Sequence, residues 1–287
     1  MGYLIAVSLL WAFSFGLIKV GLSDLDSTAV ATVRLFIATL VFLAFFRPRT
    51  AAPAMRVRLL LIGAFQFGLM YVLYIAAFRY LQAYEVVMFT IFTPIYIVLL
   101  ESALNRQFNR IAMVAAALAL IGAGIMKWRL GMSPHGMIGF FLMQGSNLCF
   151  AAGQIAYRRV RERWSDGSEA QHFAWLYVGA VIAAGAISVF ISDWGNFRPS
   201  TQQWMALVYL GTLASGVGFF GWNLGARRVN AGTLAVFNNL KIPLAVGVSL
   251  TIFGETTNLP RLMAGAAFML VALYLTERRG VTKSATS

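Results

Sequence analysis

LLLIGAFQFGLMYVLYIAAFRYLQAYEVVMFTIFTP, residues 59–94, and LVYLGTLASGVGFFGWNLGARRVNAGTLAVFNNLKIP, residues 207–243, are two versions of one pattern. Sliding the chain by 148 positions lays Leu59, Gly63, Gly68, Arg79, Ala83 and Phe89 on Leu207, Gly211, Gly216, Arg227, Ala231 and Phe237. One slipped residue later, Pro94 meets Pro243. Each copy is a long apolar run, a basic break (Arg79-Tyr80 or Arg227-Arg228), and a second apolar run with a proline inside it. The order of breaks matches as well as the residues, so the chain reads as an internal repeat.

Working outward, the 287 residues are 60% hydrophobic and only 11% charged, with a mean hydropathy of +0.74. A soluble domain has about a quarter of its residues charged. So much apolar surface must face lipid, which makes this an all-α integral membrane protein. Ten apolar runs of spanning length follow: 3–22, 27–46, 57–78, 82–104, 109–127, 134–157, 170–192, 201–226, 231–253 and 259–276. The first is read as a membrane helix and not a leader, because it lacks a basic start and contains Lys19.

The net charge of +13 does not point to nucleic acid. Of the 23 Lys and Arg, fifteen fall in the alternate loops that include Arg47, Arg106, Arg158 and Arg227, five in the opposite loops, and three within spans. That split is the positive-inside pattern and puts both termini in the cytoplasm, across an inner (plasma) membrane. Cys149 is the only cysteine, and His135 and His172 have no metal-ligand spacing, so no disulfide, metal or cofactor is expected. Ten spans in two halves give five per half. An odd number reverses the second half, so residues 1–128 and 129–287 should form two inverted five-helix repeats around a central cavity, an arrangement of transporters.

Charges within spans are costly and face a partner or a cavity. Lys19 and Arg34 are expected near one membrane face, snorkelling or closing that side against carbonyls and Asp24. Lys241, beside Pro243, either satisfies a freed carbonyl or binds a substrate carboxylate. Glu85 opens the fourth span, where it is either a helix-start charge paired with Arg79 or a cavity carboxylate. Gln144, Asn147 and Gln154 share one face of the sixth span with Phe150 beside them, and Asn238-Asn239 lie mid-span in the ninth. Amides there either glue helices or hold a polar solute. Aromatics lie deeper than an interfacial belt: Trp11 with Ser14 a turn on, Tyr71, Tyr74 and Phe78 on one face, then Phe89, and Trp222 in the repeat position of Tyr74. They either pack the bundle or line a site.

At these residues the chain resembles the ten-helix (EamA-type) transporters of the drug/metabolite superfamily. Leu10-Trp11-Ala12-Phe13-Ser14-Phe15-Gly16 through Lys19 is similar to the family's first helix, Arg34 to an arginine of its second, and Pro243 with Gly254-Glu255 to the end of its ninth. Gln82-Ala83-x-Glu85-Val86-x-Met88, Pro94 and Asn105-x-Gln107 resemble the aromatic amino acid exporter branch, although Thr93 stands where that branch has an aromatic. The resemblance implies alternating access around a central cavity lined by Phe78, Glu85 and Phe150, and export of aromatic and other neutral amino acids.

The expectation is therefore a monomeric secondary transporter exporting amino acids through a bilayer. Aromatic walls would take the side chain, while the amides and Glu85 hold the zwitterion. Spans 1–4 would rock against 6–9, with 5 and 10 as outer struts. The same fold carrying another small metabolite is the alternative. A lipid enzyme would need a nucleophile–base pair or acidic cluster, and a channel a continuous polar lining, neither of which the sequence supplies.

Overall fold

The computed structural model describes residues 2–46, 52–106, 110–127, 134–163, 168–226 and 242–284. All regular structure among them is helical. We number the helices along the chain. α1 is Gly2–Gly21, α2 Ser27–Leu43 and α3 Pro53–Ala77; α4 has two pieces, Ala83–Phe89 and Phe92–Leu104. α5 is Arg110–Lys127, α6 Pro134–Arg163 and α7 Glu169–Ile191. α8 runs through Thr201–Tyr209, Leu210–Val217 and Gly218–Ala226, α9 is Ile242–Thr251 and α10 Leu259–Ser284. α1, α3, α7 and Thr201–Trp222 of α8 are each long and apolar enough to cross a membrane. Their outward faces carry large apolar side chains such as Phe190, 87% exposed, as lipid contact requires.

Local chemistry fixes the helix starts. Asp26 accepts the backbone N–H groups of Thr28 and Ala29 (3.0 and 2.8 Å) at α2. Ser168 with Gln171, Ser200 with Gln203, and Gln82 with Glu85 form capping boxes at α7, α8 and α4, each satisfying donors that a helix start leaves over. α4 breaks at Thr90-Ile91, a turn before Pro94. Proline has no N–H to return to the carbonyl four residues back. Asn147 of α6 mends the break, donating to the Phe89 carbonyl (2.8 Å) and accepting from Thr93 (3.1 Å).

The halves cross through α2 and α7, which run antiparallel. Thr32 donates to the Ala184 carbonyl and Thr39 to the Tyr177 carbonyl, both at 3.2 Å. The repeat glycines lie at the neighbouring crossings. A Cβ on Gly63 of α3 would fall 1.9 Å from the Leu176 carbonyl oxygen of α7, and one on Gly179 of α7 would fall 2.0 Å from that of Leu60. Gly211 of α8 meets Ile37 and the Arg34 carbonyl on α2 in the same manner. α5 and α10 pack mainly on each other and join the bundle through α4.

Both repeat copies contain a π-helical stretch at matching positions, Ala64–Leu69 in α3 and Leu210–Val217 in α8. Such turns widen the helix and leave backbone carbonyls to be satisfied from outside. In α8, Trp11 Nε1 donates to the Ala214 carbonyl (2.9 Å) and the Tyr177 hydroxyl donates to that of Ser215.

One contact ties the end of α9 to the start of α4. Glu255 accepts from the N–H groups of Ala83 (2.6 Å) and Tyr84 (3.1 Å) and from the Ser249 hydroxyl. A carboxylate at a helix N-terminus typically contributes about 1 kcal/mol. Glu255→Ala should therefore lower the unfolding free energy in detergent by about 1–2 kcal/mol. Glu255→Gln, which keeps an acceptor, should cost about half of that. An alanine variant as stable as wild type would contradict the capping role.

Candidate functional site

The aromatic residues expected to line a site come together as a ladder along α1, α3 and α8. Trp222 packs on Trp11 (ring centroids 5.3 Å) and Trp11 on Phe219 (4.9 Å). Phe219 meets Phe150 (5.8 Å), Phe67 (5.2 Å) and Tyr71 (6.2 Å). Tyr71 then meets Tyr74 (5.9 Å) and Tyr74 meets Phe78 (5.2 Å). The ladder ends at a cavity of about 580 Å³ whose wall includes Phe78, Lys19, Asp24, Asp26, Arg79 and Asp193. There Lys19 Nζ donates to the Phe78 carbonyl (2.8 Å), Arg79 pairs with Asp26 (3.4 Å), and Gln203 donates to Asp24 (2.9 Å).

Phe219 escaped the sequence reading, although the repeat pointed to it. The slide that puts Tyr74 on Trp222 also puts Tyr71 on Phe219 and Phe67 on Ser215. The structure joins these as symmetry mates: Phe219 packs at a tilt against Phe67, and the Tyr71 hydroxyl donates to Ser215 Oγ (2.9 Å). One mate is apolar and the other polar.

The polar mate also includes Arg34. It is 2% exposed, at the crossing of α2 with the π stretch of α8. Its Nη2 donates to Ser215 Oγ (3.0 Å), and its guanidinium carbon lies 5.0 Å from the Tyr71 ring centroid. Nε and Nη1 are buried with no hydrogen-bond partner among the described residues. The sequence shows an arginine within a span; it does not show that α8 would bring a hydroxyl and π turn over it.

The other candidates stand apart from the ladder. Glu85 Oε2 accepts from the Gln82 N–H (2.9 Å) in the α4 capping box. Asn147 is engaged at the α4 break, and Phe89 is fully buried against Phe140 (5.2 Å). Ser14 donates to the Leu10 carbonyl of its own helix (2.6 Å). Gln154 is half-buried on α6, next to Gly153, whose Cα faces Gln66. Asn238, Asn239 and Lys241 lie outside the described residues.

The profile of the EamA-like transporter family matches residues 1–128 and 137–278. The chain belongs to the EamA-like transporter family. Membership in the EamA-like family makes it a ten-helix, multi-pass membrane transporter. Among its EamA-like relatives, a protein of Pseudomonas aeruginosa named a probable biotin transporter is 39% identical, covering 96% of each chain. The biotin transporter of Salmonella typhimurium is 37% identical over 99% of this chain and 95% of its own. That of Escherichia coli K12 is 37% identical over 96% and 92%. A crystal structure 16% identical to the chain shares its fold, with a TM-score of 0.64 and coverage of 95% and 94%. These relatives correct one expectation: nothing among them supports the aromatic amino acid exporter branch within the EamA-like family.

Proposed function

We propose that the protein carries biotin across the membrane by alternating access, as a monomer. The observation that carries this reading is the aromatic ladder leading inward from the cavity at Phe78, in a chain 37–39% identical to proteins named biotin transporters. Biotin is a polar cyclic urea fused to an apolar thiolane ring with an alkyl chain ending in a carboxylate, and aromatic faces suit the thiolane and the chain through dispersion. In this reading Trp11, Tyr71, Tyr74, Phe78, Phe150, Phe219 and Trp222 form the route, while Glu85, Asn147, Phe89 and Ser14 are scaffold. The halves 1–128 and 129–287 rock about α2 and α7, a division supported by the two stretches that match the family profile. Both termini face the cytoplasm of an inner membrane, following the charge split of the loops.

Amino acid export fits the ladder less well. A zwitterion needs an acid beside the cation, and the buried cation here has no described carboxylate near it. Proteoliposomes decide between the two. Labelled biotin should show saturable flux that excess unlabelled biotin suppresses and excess phenylalanine leaves unchanged. Saturable phenylalanine flux without biotin flux would overturn the proposal and restore the amino acid reading.

A further inference from the structure

A guanidinium is a cation even when buried, and Arg34 is 2% exposed. Its described compensation is one hydroxyl and one aromatic face, which is little for a desolvated cation. Every carboxylate with a described side chain is engaged elsewhere, at helix starts or with other loop cations and amides. Nη2 has a second hydrogen, so the guanidinium still offers two parallel N–H groups along an edge, the geometry that a carboxylate accepts.

The fold also makes this charge one-sided. The repeat mates of its two partners are not polar: the slide of 148 pairs Tyr71 with Phe219 and Ser215 with Phe67. One wall is cationic and hydroxylated, and its mate is aromatic. Such a site fits a solute with a single anionic end and an apolar body.

We propose that Arg34 receives the substrate's carboxylate, with Ser215 and Tyr71 holding its fork in place, so that the transporter selects monocarboxylates and rejects their neutral analogues. This rests on the biotin reading for the identity of the substrate, not for its chemical class. In the present conformation the free nitrogens are sealed from solvent, and the carboxylate reaches them when the halves part.

The test uses the purified full-length protein in detergent and measures ligand-induced thermal shifts. The probes are biotin and its alcohol, biotinol, and 3-phenylpropanoate and 3-phenylpropanol. Wild type should bind biotin at least ~30-fold more tightly than biotinol, the order expected for losing a charge-assisted bidentate contact. Arg34→Gln should bind both with similar, weak affinity. Arg34→Lys, with a point charge but no fork, should keep a preference reduced about tenfold. Lys241→Gln should keep the wild-type preference. Equal binding of acid and alcohol by wild type, an unchanged preference in Arg34→Gln, or a preference lost only in Lys241→Gln would each overturn the assignment. If Arg34→Gln does not fold, an unchanged preference in Arg34→Lys overturns it. Binding of 3-phenylpropanoate but not biotin, dependent on Arg34, would sustain the carboxylate assignment while the biotin reading fell. Biotin flux with equal affinity for biotinol would do the reverse.

Discussion

Gly63→Ala should lower the unfolding free energy by about 3 kcal/mol or more, near the upper end for inserting a methyl group into a packed interior. The added Cβ would fall 1.9 Å from the Leu176 carbonyl oxygen and 2.6 Å from its Cα, and backbone cannot rotate away as a side chain can. The helices must separate. α3 and α7 are locked reciprocally, with Gly63 against Leu176 and Gly179 against Leu60, so Gly179→Ala should cost a similar amount. In lipid no general hydrophobic force draws helices together, and close approach through small residues supplies much of the attraction. Gly124 and Gly185 are the controls, because a Cβ on either meets nothing within 4 Å. Alanine at those positions should be neutral or stabilise by about 0.5–1 kcal/mol, the ordinary helical difference. Unfolding in denaturing detergent, followed by tryptophan fluorescence, separates the two classes. Equal effects at Gly63 and Gly124 would mean that the α3–α7 crossing is not a tight one.

Trp11→Ala should be as damaging, by about 3–5 kcal/mol, and should abolish transport. The indole does two jobs that separate variants resolve. Its N–H satisfies the Ala214 carbonyl in the π stretch of α8, and its rings fill the space between Trp222 and Phe219. Trp11→Phe keeps much of the second and loses the first. An unsatisfied buried acceptor costs about 1–3 kcal/mol, so this variant should fall between wild type and alanine. If phenylalanine is as stable as tryptophan, the carbonyl finds another donor and the π turn does not depend on α1.

The repeat and the helix count were legible because period, break and charge all recur. The break in α4 was half legible: Pro94 announces it, but Asn147 as the group that mends it comes from α6, more than fifty residues away. Glu85 shows how a motif can point to a branch that the relatives do not support. Gln82, Glu85 and Pro94 carried the resemblance to amino acid exporters, yet here they cap α4 and interrupt it. Residues with scaffold duties report the fold and not the cargo. Arg34 was visible as a charge within a span, but its partner Ser215 depends on how α8 crosses α2, which no local pattern encodes. The ladder lay between these cases. Trp11, Tyr71, Tyr74, Phe78, Phe150 and Trp222 were chosen from depth and spacing, and Phe219 needed only a fuller use of the repeat.

The paired π stretches also place the same irregularity in both halves. A π turn holds more residues than an α turn, and Ala64–Leu69 and Leu210–Val217 occupy matching places in the two copies. Each half therefore carries its widened turn at the same distance before its basic break, Arg79 or Arg227.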